Sequence, residues 1–248
     1  MISNKKILIT GANGLVGQAM CSLMAKKNIK FVGSVKNIGE SSFSNDFTEM
    51  DISCKHSCEH VLDKLSPVVI VNAAAYTNVD KCEINKEDCW KVNAIGVENL
   101  VKFCKSKNIH LVHISSDFVF DGINGNYSEN DVCSPINYYG KTKLYSERVI
   151  KENLSNYTII RTSMIYDYNN FESGFLSWIA KKIKKTQTID IVSDQFRTAT
   201  NVHDLVEAIY MIIKKKKKRV FIIFQVMIDY RFMILFVNLL KKMVLILD

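Results

Sequence analysis

Three glycines spaced three residues apart, Gly11, Gly14 and Gly17, follow a short apolar run and precede a helical pattern. The apolar run Lys6–Thr10 reads as a buried strand, and the helical pattern continues to Lys27. In such a unit the first glycine permits a tight turn, the second lets backbone amides approach a pyrophosphate, and the third lets helix and strand pack closely. The unit predicts a dinucleotide site, with a plain strand-to-helix turn as the alternative.

Four more apolar runs read as buried strands, and helical patterns of a dozen or more residues lie between them. The strands are Phe31–Val35, Val68–Asn72, His110–Ser115 and Tyr157–Arg161, and the two longest helical patterns are Asp80–Lys107 and Tyr138–Glu152. Strands that alternate with helices in this way form parallel sheets with right-handed crossovers. We therefore predict an α/β fold, a doubly wound parallel sheet of the Rossmann type.

After Arg161 the alternation of strands and helices becomes less regular. The remaining patterns are a helix from about Phe171 to Lys185, a strand at Ile189–Val192 and a helix at Val202–Ile213. We expect them to form a small, incomplete lobe over the carboxyl edge of the sheet. The predicted division is a dinucleotide-binding domain with the catalytic residues at 1–160, substrate-lobe segments at 161–213 and an aberrant tail at 214–248.

The formal net charge of +8 is concentrated at the end of the chain. Residues 214–248 carry nine Lys and Arg against two Asp, a net of +7, which leaves +1 for residues 1–213. A nearly neutral body offers no basic stripe to a polyanion, so no nucleic-acid partner is expected.

The tail begins with a lysine run and continues with the apolar stretch Val220–Leu240, which has neither a clean helical nor a clean strand period. A membrane anchor is disfavoured because Asp229 and Arg231 fall near its centre, each costing roughly 2.5 to 3.5 kcal/mol on an insertion scale. A lysine run implies an adenine run in the gene, where reading frames slip. With permitted codons chosen for Arg219–Ile228, the frame two bases on reads Gly-Ile-Tyr-His-Ile-Ser-Gly-Asp-Asp-Arg, which is more typical of a strand and turn. We hypothesise that residues after about Lys218 are out of frame, and that this altered tail impairs the chain.

The seven cysteines are scattered, without a paired Cys-x-x-Cys motif, and the amino terminus has no apolar signal core. The one Cys/His cluster, Cys54-Lys-His56-Ser-Cys58-Glu-His60, reads more readily as the start of a surface helix than as a metal site, so no metal ligands are assigned. Unpaired thiols in odd number are typical of a reducing compartment. We expect a cytoplasmic protein.

The chemistry is indicated by Tyr139-Gly-Lys-Thr-Lys143, because residues four apart on a helix share a face. A neighbouring ammonium lowers the pKa of a phenol, so Tyr139 is expected to be the general acid and Lys143 its electrostatic partner and a ribose ligand. Ser116 ends the fourth strand, at the edge where open α/β sheets hold their active sites. It would bind the carbonyl being reduced, with capping of a turn as the alternative role.

The type of cofactor depends on the end of the second strand, Gly33-Ser34-Val35-Lys36, which lacks the acid that normally holds an adenosine ribose. A cation there accepts a 2′-phosphate, so Lys36 favours NADP(H), with NAD(H) as the alternative.

Several further stretches, in this order, resemble the extended short-chain dehydrogenase/reductase superfamily, and within it the dTDP-4-dehydrorhamnose reductases and their sugar-nucleotide relatives. The resemblance covers residues 5 to about 213. The matching stretches are Asn72-Ala-Ala-Ala-Tyr-Thr-Asn-Val-Asp80, Val92-Asn-Ala94, Ile114-Ser-Ser-Asp-Phe-Val-Phe-Asp-Gly122, Asn137-Tyr-Tyr-Gly-Lys-Thr-Lys-Leu144, Ile160-Arg-Thr162, Asp194-Gln195 and Asp204-Leu205.

The resemblance implies that Ser116, Tyr139 and Lys143 reduce the 4-keto group of a nucleotide-linked 6-deoxy sugar with a nicotinamide cofactor. The implied cofactor contacts, with the glycine loop included, are Gly11, Asn13, Gly14, Leu15, Val16, Gly17, Lys36, Asp51, Ile52, Ala73, Ala74, Ala75, Tyr139 and Lys143. It also implies a homodimer, in some relatives with Mg²⁺. Asp167 and Ala199 depart from the family pattern, which has Gly and Pro there.

Two other functions remain open at this point. The first is a sugar-nucleotide epimerase or dehydratase, although a dehydratase would want a second acid where Phe118 follows Asp117. The second is a non-catalytic regulatory subunit of the methionine adenosyltransferase beta type.

Overall fold

The computed structural model describes residues 6–38, 46–167, 174–185, 188, 195–215, 219–224 and 230–231. The strands are β1 (Ile7–Thr10), β2 (Phe31–Val35), β3 (Phe47–Glu49), β4 (Val69–Asn72), β5 (His110–Ser116), β6 (Tyr157–Thr162), β7 (Ile165–Tyr166), β8 (Phe196–Arg197), β9 (Thr200–Asn201), β10 (Val220–Phe224) and β11 (Tyr230–Arg231). The α-helices are α1 (Leu15–Lys26), α2 (Lys55–Leu65), α3 (Val79–Ile84), α4 (Lys86–Trp90), α5 (Gly96–Lys107), α6 (Tyr138–Asn153), α7 (Gly174–Lys184) and α8 (Val202–Lys214).

Seven strands form one parallel sheet in the order β10-β6-β5-β4-β1-β2-β3, which confirms the predicted doubly wound fold. From β1 the chain first builds β2 and β3 on one side and then returns to build β4, β5, β6 and β10 on the other. The connection reverses direction between β1 and β4. In an open sheet of this kind, the crevice for a ligand lies at that point, beyond the carboxyl ends of the strands.

The central strands are buried on both faces, so they read as continuous apolar runs. Their alternate side chains enter two separate cores: Ile7 and Ile9 lie in one with residues of α1 and α8, and Leu8 lies in the other with residues of α2 and α5. The helices thus pack on both faces of the sheet, and they do not cover the crevice at its carboxyl edge.

The predicted single helix over Asp80–Lys107 is wrong in detail. The chain there forms α3, breaks at Asn85, continues as α4 and a π-helical turn at Lys91–Ile95, and then forms α5. Asn85 has φ −105° and ψ 60°, outside the helical range, and it caps α3 and α4 at once. The apolar spacing carries on through this break, so periodicity alone does not reveal it.

The apolar start of the tail, Val220–Phe224, is a parallel strand paired with β6, although its sequence shows no strand alternation. A strand inside a parallel sheet need not alternate, which explains the missed pattern. The boundary predicted at 160/161 falls within β6, and the division into three parts stays a prediction. The predicted strand Ile189–Val192 and the motif residue Asp194 lie outside the described residues.

Among the residues that the structure describes, no helix has the length and apolar character needed to cross a membrane.

Candidate functional site

A cleft of about 580 Å³ opens at the carboxyl edge of the sheet, on the β1–β4 crevice. Every residue predicted to bind a cofactor or to catalyse lines this cleft except Gly17. The predicted residues that do so are Gly11, Asn13, Gly14, Leu15, Val16, Lys36, Asp51, Ile52, Ala73, Ala74, Ala75, Ser116, Tyr139 and Lys143.

The glycine loop leaves no room for side chains where it approaches the rest of the cleft. Gly11 has φ +63°, and a Cβ there would lie 2.7 Å from the Ala74 backbone. A Cβ on Gly17 would lie 2.1 Å from the Gly11 carbonyl oxygen, so Gly17 serves the packing of α1 rather than the cleft wall. Helix α1 starts after Gly14 with no side-chain cap, which leaves its first amides to an anion. These features fit a pyrophosphate.

Lys36 and Asp51 form an ion pair at the outer end of the cleft, with 3.1 Å between Nζ and Oδ2. Burial alone would raise the pKa of the Asp51 carboxyl, but hydrogen bonds from Ser53 and the Lys36 ammonium together hold it below its usual value. The end of β2 thus presents an exposed cation beside an ionised carboxylate. Such a pair offers groups for either a 2′-phosphate or a ribose hydroxyl.

Helix α6 carries Tyr139 and Lys143 into the cleft. Its first turn is fixed by Asn137, whose side chain accepts a hydrogen bond from the Gly140 amide at 2.7 Å. Gly140 is required because a Cβ there would lie 2.0 Å from the Phe118 carbonyl oxygen. The glycine between Tyr139 and Lys143 therefore lets the helix lie directly against the backbone that follows β5.

The expected lowering of the Tyr139 pKa is wrong for the structure as it stands. Burial raises the pKa of the phenol well above its ordinary value, and the Asp117 carboxylate raises it further, while a hydrogen bond with Ser116 opposes them. The Lys143 ammonium does not counter this, because it faces other groups: Nζ donates to the Ile114 carbonyl at 2.6 Å and lies 3.3 Å from His113 Nε2.

Lys143 is only 2% exposed, and burial lowers its pKa to about 8. The Glu147 carboxylate, one turn later on α6, opposes this lowering of the Lys143 pKa, but it is engaged by other groups. It accepts two hydrogen bonds from the Arg161 guanidinium, at 2.9 and 2.7 Å, and one from the Ser115 hydroxyl at 2.6 Å.

Ser116 caps the turn that follows β5, which is the alternative role predicted for it. Its Oγ accepts a hydrogen bond from the Phe118 amide at 3.2 Å and donates to Asp117 at 3.0 Å. The same hydroxyl lines the cleft beside Tyr139, so capping and contact with a ligand are compatible.

A second cavity, of about 500 Å³, adjoins the cleft and shares Asp117, Phe118 and Thr162 with it. Its wall includes Arg197, which forms an ion pair with Asp117 at 3.4 Å and stacks over the Phe118 ring. Sequence reasoning missed Asp117 and Arg197 as site residues. The motif Ser115-Ser-Asp117 was a signal for the first, whereas Arg197 is brought to the site only by the fold.

The Cys/His cluster is the start of a surface helix. Cys58 points inward, with its Sγ 3.3 Å from the Ile52 carbonyl oxygen, while Cys54, His56 and His60 are exposed at the start of α2. Over the described part of the chain, no three His, Cys, Asp or Glu side chains converge as metal ligands.

The chain is similar in sequence to known proteins. The family model of the RmlD substrate binding domain matches residues 5–226. A dTDP-4-dehydrorhamnose reductase of Aggregatibacter actinomycetemcomitans is 31% identical over 211 residues, which are 85% of this chain and 68% of that protein. The beta subunit of methionine adenosyltransferase 2 from Bos taurus is 29% identical over 217 residues, 87% of this chain and 64% of that protein.

Solved structures show the same similarity. The dTDP-4-dehydrorhamnose reductase of Bacillus anthracis in complex with NADP superposes with a TM-score of 0.84 at 26% identity, covering 96% of this chain and 80% of that one. A UDP-glucose 4-epimerase of Thermus thermophilus in complex with NAD has a TM-score of 0.83, covering 95% of this chain and 82% of that one, but its 15% identity shows the fold alone.

Proposed function

Because the chain belongs to the RmlD family of dTDP-4-dehydrorhamnose reductases, we propose that it reduces the 4-keto group of a nucleotide-linked 6-deoxy sugar. The observation that carries the proposal is the convergence of Ser116, Tyr139 and Lys143 on the cleft that the glycine loop begins. A helix end with free amides and a proton donor on the wall of one cleft fit a dinucleotide with a reactive ring beside the tyrosine.

A nicotinamide cofactor supplies the hydride when it is bound. Tyr139 then donates its proton to the oxygen that gains negative charge, and Ser116 donates a hydrogen bond to that oxygen once its O–H turns away from Asp117. The raised pKa of Tyr139 keeps the phenol protonated at neutral pH, which suits an acid. Below pH 8 the Lys143 cation offers an N–H to the cofactor ribose, and it would stabilise the phenolate left behind only by turning from the Ile114 carbonyl toward Tyr139.

We assign NADP(H) as the preferred cofactor. Lys36 is exposed at the end of β2 and lines the cleft, so it can meet a 2′-phosphate. Asp51 would then be a partner that the phosphate displaces from the lysine. NAD(H) is the alternative, with Asp51 accepting from the ribose.

The sugar nucleotide would enter through the second cavity. Asp117 and Phe118 join this cavity to the cleft, and Arg197 places a guanidinium on its wall. A guanidinium binds phosphate oxygens in a bidentate manner, so Arg197 suits the diphosphate of the substrate.

Two alternatives are less well supported. A regulatory subunit is favoured by the likeness to the methionine adenosyltransferase subunit, but it would not need Ser116, Tyr139 and Lys143 together in one cleft. An epimerase or dehydratase shares the fold, but the more similar named relatives are reductases.

A homodimer, a bound Mg²⁺ and a cytoplasmic location stay predictions. The last is supported by the seven cysteines, all of which are free thiols.

The test follows NADPH oxidation with dTDP-4-dehydrorhamnose, for the native protein and for Tyr139→Phe. General acid catalysis is typically worth about 10² to 10⁴ in rate, so we expect a loss of that size. Tyr138→Phe is the matched control, because this neighbouring tyrosine packs against Lys86 outside both cavities. Equal turnover by native protein and Tyr139→Phe would reject the assigned chemistry. No turnover by the native protein would favour the regulatory alternative only if a protein with the family's usual carboxyl terminus were also inactive, because an altered tail is itself expected to impair the chain.

A further inference from the structure

Behind the cleft, three polar side chains form a row across the sheet. Thr10, Asn72 and His113 are register partners on β1, β4 and β5, and all three are buried. Polar groups of this kind are rare in the centre of a sheet unless each one is satisfied. The row ends at Lys143, whose Nζ lies 3.3 Å from His113 Nε2.

The hydrogen bonds along the row have a direction. Thr10 Oγ1 accepts from the Ala74 amide at 3.2 Å and donates to Asn72 Oδ1 at 2.6 Å. The amide nitrogen of Asn72 then faces His113 Nδ1 at 3.1 Å and donates to it. His113 is neutral, since burial and the Lys143 charge hold its pKa well below the usual value. Its one ring hydrogen is therefore on Nε2, directed at Lys143.

This arrangement suits an uncharged Lys143. A neutral amine can accept from His113 Nε2–H while it donates to the Ile114 carbonyl at 2.6 Å. A charged ammonium has no lone pair and would face the Nε2–H donor with another donor. To accept from the ammonium, the His113 ring must carry its hydrogen on Nδ1, and the Asn72 amide must turn and give up its bond from Thr10.

The other groups around Lys143 do not change their hydrogen bonds or charge when Lys143 takes up a proton. Glu147 on the same helix is held by Arg161 and Ser115, Cys89 of α4 is a buried thiol, and Tyr139 is a protonated phenol. His113 and the row behind it are therefore the polar contact whose hydrogen positions can change when Lys143 gains or loses its charge.

We propose that Thr10, Asn72 and His113 are positioning residues that favour the uncharged form of Lys143, and that the ring hydrogen of His113 changes nitrogen when Lys143 takes up a proton. The role of Lys143 in turnover rests on the proposed function, but the coupling itself does not. A bound ligand that needs the charged Lys143 must therefore also move the His113 ring hydrogen to Nδ1 and rotate the Asn72 amide.

The experiment is ¹⁵N NMR of histidine-labelled full-length protein between pH 6.5 and 9.5, which reports the hydrogen position on each of its five histidines. The His113 signal is assigned by its loss in His113→Gln. We expect Nε2–H above about pH 8 and an increasing share of Nδ1–H below it, and no pH dependence in Lys143→Met. His110 is the internal control, because it is buried on the same strand but contacts Thr158 instead of Lys143.

Two variants test the direction of the row. Asn72→Asp offers only acceptors, so His113 should carry Nδ1–H at every pH. Thr10→Val removes the hydroxyl that fixes the Asn72 amide without adding charge, so the change of nitrogen should move to higher pH. A fixed His113 hydrogen across the range in the native protein, or Nε2–H retained in Asn72→Asp, would overturn the proposal.

Activity separates this proposal from the function itself. In a working reductase, the fall of kcat/KM at high pH should shift upward by about one unit in Asn72→Asp, a tenfold gain well above pH 8. His110→Gln should not change the pH at which kcat/KM falls. If the His113 hydrogen changes nitrogen with pH in a protein that does not oxidise NADPH, the proposed function is rejected and the coupling stands. If the protein oxidises NADPH but the hydrogen stays on one nitrogen, the coupling is rejected and the function stands.

Discussion

Two buried cations, Arg161 and Lys143, interact with the Glu147 carboxylate of helix α6 in different ways. Arg161 of β6 is 1% exposed and shares two hydrogen bonds with Glu147, and its guanidinium lies between the rings of Phe120 and Phe221. Lys143 of α6 is 2% exposed and has a carbonyl and an imidazole as partners. Arg161 is tied to a carboxylate, although its Nη1 has no hydrogen-bond partner among the described residues. Removing one partner of a buried ion pair costs stability, whereas a buried cation without a carboxylate hydrogen-bond partner can change protonation state and serve chemistry.

The largest effect is expected where the paired cation is removed. Arg161→Met leaves Glu147 buried and charged, with the Ser115 hydroxyl and the Lys151 ammonium, 3.9 Å away, as its remaining partners, so the free energy of unfolding should fall by about 3 to 5 kcal/mol. Urea unfolding measures this loss. Adding Glu147→Gln should restore part of it, because the buried charge is then gone; a double variant no more stable than Arg161→Met would contradict this account.

The same substitution at the other cation should act in the opposite direction. Lys143→Met replaces a cation whose pKa is lowered to about 8 from 10.5, so unfolding at pH 7 should cost up to about 3 kcal/mol more. NADPH oxidation should fall by about 10² to 10⁴ despite the gain in stability. A Lys143→Met protein less stable than the native one would show that the lysine helps to hold the fold.

This gain should depend on pH. The folded pKa of Lys143 is lowered, so between about pH 8 and 10.5 the unfolded chain holds a proton that the folded protein has lost. In that range the native protein gains stability from this group as pH rises. The stability gap between Lys143→Met and the native protein should therefore be largest below pH 8 and close by about pH 10.5. A constant gap in urea unfolding across this range would contradict the lowered pKa.

An exposed cation should have the smallest effect on the fold. Lys36→Ala breaks a surface pair with Asp51, so unfolding should change by less than about 1 kcal/mol. Affinity for NADPH should drop about tenfold, or 1.4 kcal/mol, while affinity for NADH changes little. Lys55→Ala is the matched control, because Lys55 pairs with Glu59 on α2 away from the cleft. Equal losses for NADPH and NADH would remove the case for a 2′-phosphate contact.

Features of the fold and site that depend on residues close together in the sequence could be predicted, and those that depend on distant residues could not. The glycine loop, the central strands and the spacing of Tyr139 and Lys143 are local patterns, and the structure brings those residues together. The strand Phe47–Glu49 was missed because three residues are too few for a period. The row Thr10–Asn72–His113 depends on the register of three strands far apart in sequence, which no local pattern contains. The direction of the Tyr139 pKa shift was wrong because burial, which decides it, is a tertiary property.

The hypothesis of an out-of-frame tail remains a prediction. The family match runs to residue 226, and Val220–Phe224 forms a strand of the main sheet. A sequence read in the alternative frame would therefore also have to form a strand that pairs with β6. The gene sequence across the lysine run tests it: the idea fails if the alternative frame soon reaches a stop codon or encodes nothing like a reductase.

The position of β10 has a consequence for the order in which the protein forms. Its residue Phe224 pairs with Thr162, 62 residues earlier, and Phe221 covers the Arg161 guanidinium. During synthesis the sheet therefore has an unfinished edge, and Arg161 lacks one of its two aromatic covers, until residue 224 has left the ribosome. Contacts of such long sequence separation form slowly, so closing this edge is expected to be a late step of folding. Until then, the nascent chain presents β6 as a free strand that other chains could pair with.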